Sequence, residues 1–96
     1  MTKIEGSLGE IMMTRGVAAF VGKNAETYQE IMDVLTRYRS GDWGETAKED
    51  QPLNDYAAAN PGSDRIVAKY CLNFGNLLII TEHDRSYTTI MLPTEY

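Results

Sequence analysis

Hydrophobic positions along the chain change period once, near residue 65. From Ala25 to Arg39, Tyr28, Ile31, Met32, Leu35 and Tyr38 recur at steps of three and four, the spacing that lines one face of an α-helix. Asn24 is a suitable N-cap and Glu26 complements the positive end of the helix dipole. Arg37 and Arg39 complement the negative end before Ser40-Gly41 terminate the helix. From Arg65 onward the period is two. Ile66, Ala68, Tyr70 and Leu72 fall on one face of a strand, Asn73-Phe74-Gly75-Asn76 turn the chain, and Leu77 to Thr81 form the return strand. After a polar loop, Glu82 to Ser86, a last strand rich in β-branched residues is predicted from Tyr87 to Leu92, closed by Pro93. These three strands predict an antiparallel meander.

The remaining pattern is weaker. Leu8 to Met13 is apolar enough for a short first strand, and Thr14 offers an N-cap to a short helix from Arg15 to Val21 that Gly22 would end. Residues from Gly41 to Gln51 are polar and acidic around Trp43, which predicts a loop with an anchor. Pro52 suits the first turn of a third helix running to Ala59, ended by Asn60-Pro61-Gly62. Helices in sequence followed by strands in sequence indicate an α+β fold. The expectation is one domain, residues 1–96, with two or three helices packed on one face of a small antiparallel β-meander and an added N-terminal strand.

Composition narrows the function classes. A chain of 96 residues with 43% hydrophobic and 24% charged positions has room for one core, and homodimerisation would supplement so modest a burial. The longest apolar run, Leu77 to Ile80, is far short of a membrane span, and the first residues lack the apolar core of a signal peptide. A cytoplasmic location and no membrane partner are therefore expected. A net charge of −5 opposes binding to phosphate backbones, so no nucleic acid is expected; an acidic surface suits a basic surface on another protein. Cys71 is the only cysteine, which excludes an internal disulfide; its apolar surroundings read as a buried structural thiol.

The chemistry-bearing residues concentrate in two segments. Glu82, His83, Asp84, Arg85 and Ser86 gather in one strand-to-strand loop the side chains a hydrolytic site uses, but neighbours in a tight loop point in different directions. Glu82, His83 and Asp84 with Asp42 or Asp50 match no known metal-ligand spacing, and no phosphate-binding loop, nucleophile elbow or paired-cysteine motif is present. No catalytic residue, metal or cofactor is assigned. In the other segment, Asp42-Trp43-Gly44, the indole either plugs the edge of the core or stays exposed as an interface anchor, and plugging is the commoner fate. Candidate binding residues are Asp42, Trp43, Asp50, Asn54, Glu82, Asp84, Arg85, Ser86 and Thr88. Within the second loop, Asp84 and Ser86 are expected to fix the turn while Arg85 pairs with Asp42 or Asp50. The competing expectation turns Arg85 outward to bind an anion or a partner.

Gly41-Asp42-Trp43-Gly44, Glu49-Asp50, Asn54, Ile79-Ile80-Thr81-Glu82, Asp84-Arg85-Ser86, Thr88-Thr89-Ile90-Met91-Leu92-Pro93 and Glu95-Tyr96 together resemble a family of small uncharacterised bacterial proteins. Its members are met on plasmids, integrative elements and phages. The resemblance covers about Leu8 to Tyr96 and implies kinship rather than a reaction. His83 departs from the small residue expected between that Glu and Asp, and Pro52 is also unusual there. Two functions follow as expectations: a non-enzymatic protein-binding module, acting for a mobile element on a host system, or a small-ligand binding or hydrolytic protein using the Glu82–Ser86 loop.

Overall fold

A computed structural model describes residues 2–96. The elements run in the order β1 (Glu10–Met13), α1 (Arg15–Lys23), α2 (Ala25–Arg39), α3 (Gln51–Ala59), β2 (Ile66–Leu72), β3 (Gly75–Thr81) and β4 (Tyr87–Met91), with a single 3-10 turn at Pro93–Glu95. The architecture is α+β, three helices on a four-stranded mixed sheet of order β1-β4-β3-β2. The antiparallel meander is β2-β3-β4, in which Ile66 lies opposite Thr81 and Ile79 opposite Ile90. The first strand adds to it in parallel, with Ile11 beside Thr88.

Alternation along the strands decides the two faces of the sheet. Ile66, Ala68, Tyr70, Leu77, Ile79 and Ile90 are all fully buried beneath the helices. Cys71 therefore points to the other face and is exposed, its thiol donating to Asn76 Oδ1 at 3.2 Å. This corrects the expectation of a buried thiol: strand parity outweighs the apolar character of the neighbouring residues.

The long helix occupies the predicted residues, and Asn24 Oδ1 accepts from the Glu26 N–H at 2.8 Å as the N-cap. Its buried stripe is Thr27, Ile31, Val34, Leu35 and Tyr38. Tyr28, expected on that stripe, is 48% exposed, and Met32 is only half-buried on its flank. Thr27-Ile31-Val34-Tyr38 follows the helical repeat more closely, so the helix turns that row inward. The short helix before it continues through Gly22 to Lys23, contrary to the expected stop. Asn24 ends it in extended conformation because the same residue must begin α2.

Inside the core, three hydroxyls form one hydrogen-bonded run. Tyr38 Oη lies 2.7 Å from Thr81 Oγ1, Thr81 Oγ1 lies 2.7 Å from Thr88 Oγ1, and Thr88 Oγ1 donates to the Leu8 carbonyl at 2.7 Å. A carbonyl only accepts, so the direction is determined: Tyr38 donates to Thr81, Thr81 to Thr88, and Thr88 to Leu8. Burial pushes the Tyr38 phenol up, against the bond to Thr81, which keeps it the proton donor this direction requires.

Truncating Leu35 to Ala is expected to cost about 2–5 kcal/mol in denaturant unfolding, as for a large-to-small change in a packed core. Tyr28→Ala on the same helix is expected to stay within about 0.5 kcal/mol of the parent. Equal effects at the two positions would show that the stripe is assigned wrongly.

Candidate functional site

Most of the residues singled out by chemistry are held in bonds internal to the fold. Asp42 pairs with Arg37, with its Oδ2 2.9 Å from Nε, while Oδ1 accepts from the Gly44 N–H at 3.1 Å. The hydrogen bond from Arg37, and then that from Gly44, outweigh partial burial and hold the Asp42 carboxyl below its ordinary value; Arg37 is raised by the same pairing. Trp43 is buried, edge-on to Tyr38 with ring centroids 5.7 Å apart, and donates its indole N–H to Asp55 Oδ1 at 2.8 Å. It plugs the side of the core.

Thr46 and Asn54 explain why this segment lies where it does. β2 is an edge strand, and the backbone groups of its odd residues face outward. Asn54 Nδ2 donates to the Val67 carbonyl at 2.9 Å and its Oδ1 accepts from the Val67 N–H at 3.3 Å, so a side-chain amide takes the place of a neighbouring strand. Lys69 N–H donates to Thr46 Oγ1, the Glu45 N–H donates to the Lys69 carbonyl, and the Cys71 N–H donates to Glu45 Oε2. Gly44 makes the close approach possible. Its φ is +60°, and a Cβ there would stand 2.4 Å from the Tyr70 ring.

The second loop is equally committed. Asp84 Oδ1 accepts from the Ser86 N–H at 3.0 Å and from its hydroxyl at 2.6 Å, and these bonds lower the carboxyl's pKa. The turn is fixed by Asp84, as expected. Arg85, at φ +62°, reaches inward and donates from Nη2 to the carbonyls of Ala57 and Ala58 at 2.8 and 3.3 Å. This corrects both expectations for Arg85: its partner is neither Asp42 nor Asp50 but the negative end of α3, and it does not project outward. Two of its nitrogens, Nε and Nη1, are buried without a protein partner. Glu82 is half-buried and shares backbone bonds with Tyr87 and Arg85, His83 is exposed, and Thr88 belongs to the core hydroxyl run. The two segments do not converge: Asp50 precedes the first turn of α3, whereas Arg85 binds its last, across a helix of nine residues. At about 1.5 Å per residue, α3 keeps them apart by more than 10 Å.

A cleft of about 540 Å³ lies open to solvent between the first turns of α3, the Trp43 segment and the helix-free face of the sheet at β2. Leu53, Val67 and Leu78 supply apolar surface, Glu45, Asp50 and Asp64 supply carboxylates, and Arg65 and Lys69 supply cations. Of the sequence candidates, Asp50 and Asn54 border it. Leu53 was missed. Its neighbours Ala57, Ala58 and Asn54 take the inward side of α3, so the larger apolar residues Leu53 and Tyr56 point away, 66% and 63% exposed. A helix whose bulky residues sit three apart opposite a row of small ones was the readable signal. Among the described residues no group of three or more His, Cys, Asp or Glu is placed to hold a metal ion, and no helix is long and apolar enough to cross a membrane. No family model, no curated protein and no solved structure matches the chain.

Two expectations test these assignments. Arg85→Ala should lower stability by about 1–3 kcal/mol, the range for a hydrogen bond from a charged group, and Arg85→Gly should melt above Arg85→Ala because glycine accepts the positive φ. Unchanged melting in both would show that the guanidinium does not hold α3. For Asp42, the lowered carboxyl stabilises the fold above its ordinary value of 3.8, and that contribution fades as pH falls through the lower folded value. The parent's advantage over Asp42→Asn should be under about 1 kcal/mol at neutral pH, because both partners are more than a third exposed, and should vanish in acid. A difference that grows as pH falls would contradict this.

Proposed function

We propose that the protein is a non-enzymatic protein-binding module whose contact surface is the cleft between α3 and β2. The observation that carries this reading is the exposure of Leu53, 66%, in the lining of the cleft, with Tyr56, 63% exposed, three residues further along the same helix. Two bulky apolar side chains held on a rigid helix beside a concavity offer the anchor and pocket that protein interfaces use. The carboxylates of Glu45, Asp50 and Asp64 outnumber the cations Arg65 and Lys69 in the lining, which, in a chain of net charge −5, favours a partner segment that carries basic groups. The groups that a hydrolytic site would need are tied into the fold at Asp42, Asp84 and Arg85, which leaves that alternative without a supporting cluster. The motif likeness to proteins of plasmids and phages supports seeking the partner among proteins of the host.

A photo-cross-linking residue placed at Leu53 is expected to capture a discrete protein in the native cell, whereas the same residue at exposed Gln29 on α2 is not. Leu53→Ala with Tyr56→Ala should weaken that complex at least about tenfold while leaving thermal unfolding unchanged, since a pair of anchors is worth more than about 1.4 kcal/mol. Capture at Gln29 alone, or affinity unaffected by the double change, would defeat the proposal.

A further inference from the structure

The two edges of the sheet are treated differently. On β2 the outward peptide groups of Val67 and Lys69 and the Cys71 N–H are taken up by Asn54, Thr46 and Glu45, so that edge is closed to a further strand along these residues. β1 forms the opposite edge, remote from the cleft. Glu10 N–H donates to the Ser86 carbonyl and Thr14 N–H to the Ile90 carbonyl, so in this parallel ladder the even residues bond to β4. Ile11 and Met13 therefore turn their N–H and C=O groups outward. Apolar side chains flank this open edge on both faces: Ile11 is 38% exposed, Met12 39% and Tyr87 40%.

We propose that β1 pairs antiparallel with β1 of a second copy of this chain, about a two-fold axis through Ile11, joining two four-stranded sheets into one. The backbone parity fits this symmetry. Ile11 has both of its peptide groups outward, so it exchanges a reciprocal pair of hydrogen bonds with its own copy, and Met12 lies beside the partner copy's Glu10 on the helix-free face. The two Ile11 side chains meet on the helix-bearing face, directly opposed, in the geometry where cross-strand apolar pairs interact. The charges agree with the direction. Glu10 opens the strand and Arg15 follows its end, so antiparallel pairing brings the acidic end of one copy toward the basic end of the other, whereas parallel pairing would set like beside like. The short segment from Ser7 to Arg15 holds one acid and one base, unlike the chain as a whole at −5. An unsealed edge with exposed apolar residues recruits another strand.

Light scattering of the purified chain is expected to read twice its 10.8 kDa mass. Ile11→Pro removes only an N–H that faces away from β4, a position edge strands tolerate, and Ile11→Lys adds a charge at the axis. Both variants should return to the single-chain mass while keeping the parent's circular dichroism. Should either unfold, register is read independently in a Cys71→Ser background. A cysteine at position 11 then oxidises to a covalent dimer faster than one at 13, because residues opposed across the axis stand about 5.5 Å apart at Cα, within disulfide reach. A parent chain that is monomeric overturns the proposal and leaves the edge to a strand of a different protein. A dimer that survives both substitutions, or cross-links faster at 13, overturns it in favour of another surface.

Discussion

Tyr38, Thr81 and Thr88 commit the core to a single arrangement. Their hydroxyls are buried in the core, where a polar group left without a partner costs about 1–3 kcal/mol. All three are satisfied only when α2 is rotated to aim Tyr38 at β3, when β3 and β4 pair Thr81 with Thr88, and when the N-terminal segment lays the Leu8 carbonyl at the end of the run. A slip of one residue between β3 and β4 would turn one threonine to the opposite face and strand the other members. Apolar packing alone tolerates small shifts. This run does not, so it supplies the uniqueness that leucines and isoleucines leave open.

The Trp43 segment depends on that arrangement from the other side. Trp43 packs against the ring of Tyr38, while the Asp42 carbonyl accepts from the Tyr70 hydroxyl at 2.7 Å. The loop is thereby pinned to α2 and to β2, and Glu45, Thr46 and Asn54 can cover the strand's edge. Asn54, which read as a binding candidate, thus joins Glu45 and Thr46 in making one side of the sheet unavailable to other chains. The cleft beside α3 and the far edge at β1 are surfaces that these contacts leave uncommitted.

Legibility in the sequence followed the range of each interaction. α2 was readable to the residue because its caps and its period are local, although the buried stripe was placed one row off by giving Tyr28 the weight of its size. The meander was readable from alternation, yet Cys71 was misplaced because its neighbours were judged by hydrophobicity and not by parity. Arg85 could not be read, since its partners are peptide carbonyls at the end of α3 and any residue can supply those. The same holds for Asn54, which bonds a backbone 13 positions away, and for Glu95, whose carboxylate accepts from the Gly16 N–H across 79 positions. The fold class emerged from patterns, whereas the fate of each candidate side chain depended on which backbone happened to face it.

The parallel pairing of β1 with β4 also sets an order of events. Ile11 finds its neighbour only in Thr88, on the far side of three helices and a hairpin, whereas β2, β3 and β4 follow one another through short turns. Loop-closure entropy favours the nearby pairings first. On a ribosome, which extends the chain from its amino end, β1 emerges before β4 and has no ladder to join until that strand follows. Throughout that interval both edges of β1 lack a partner, and its four residues keep the exposed edge short.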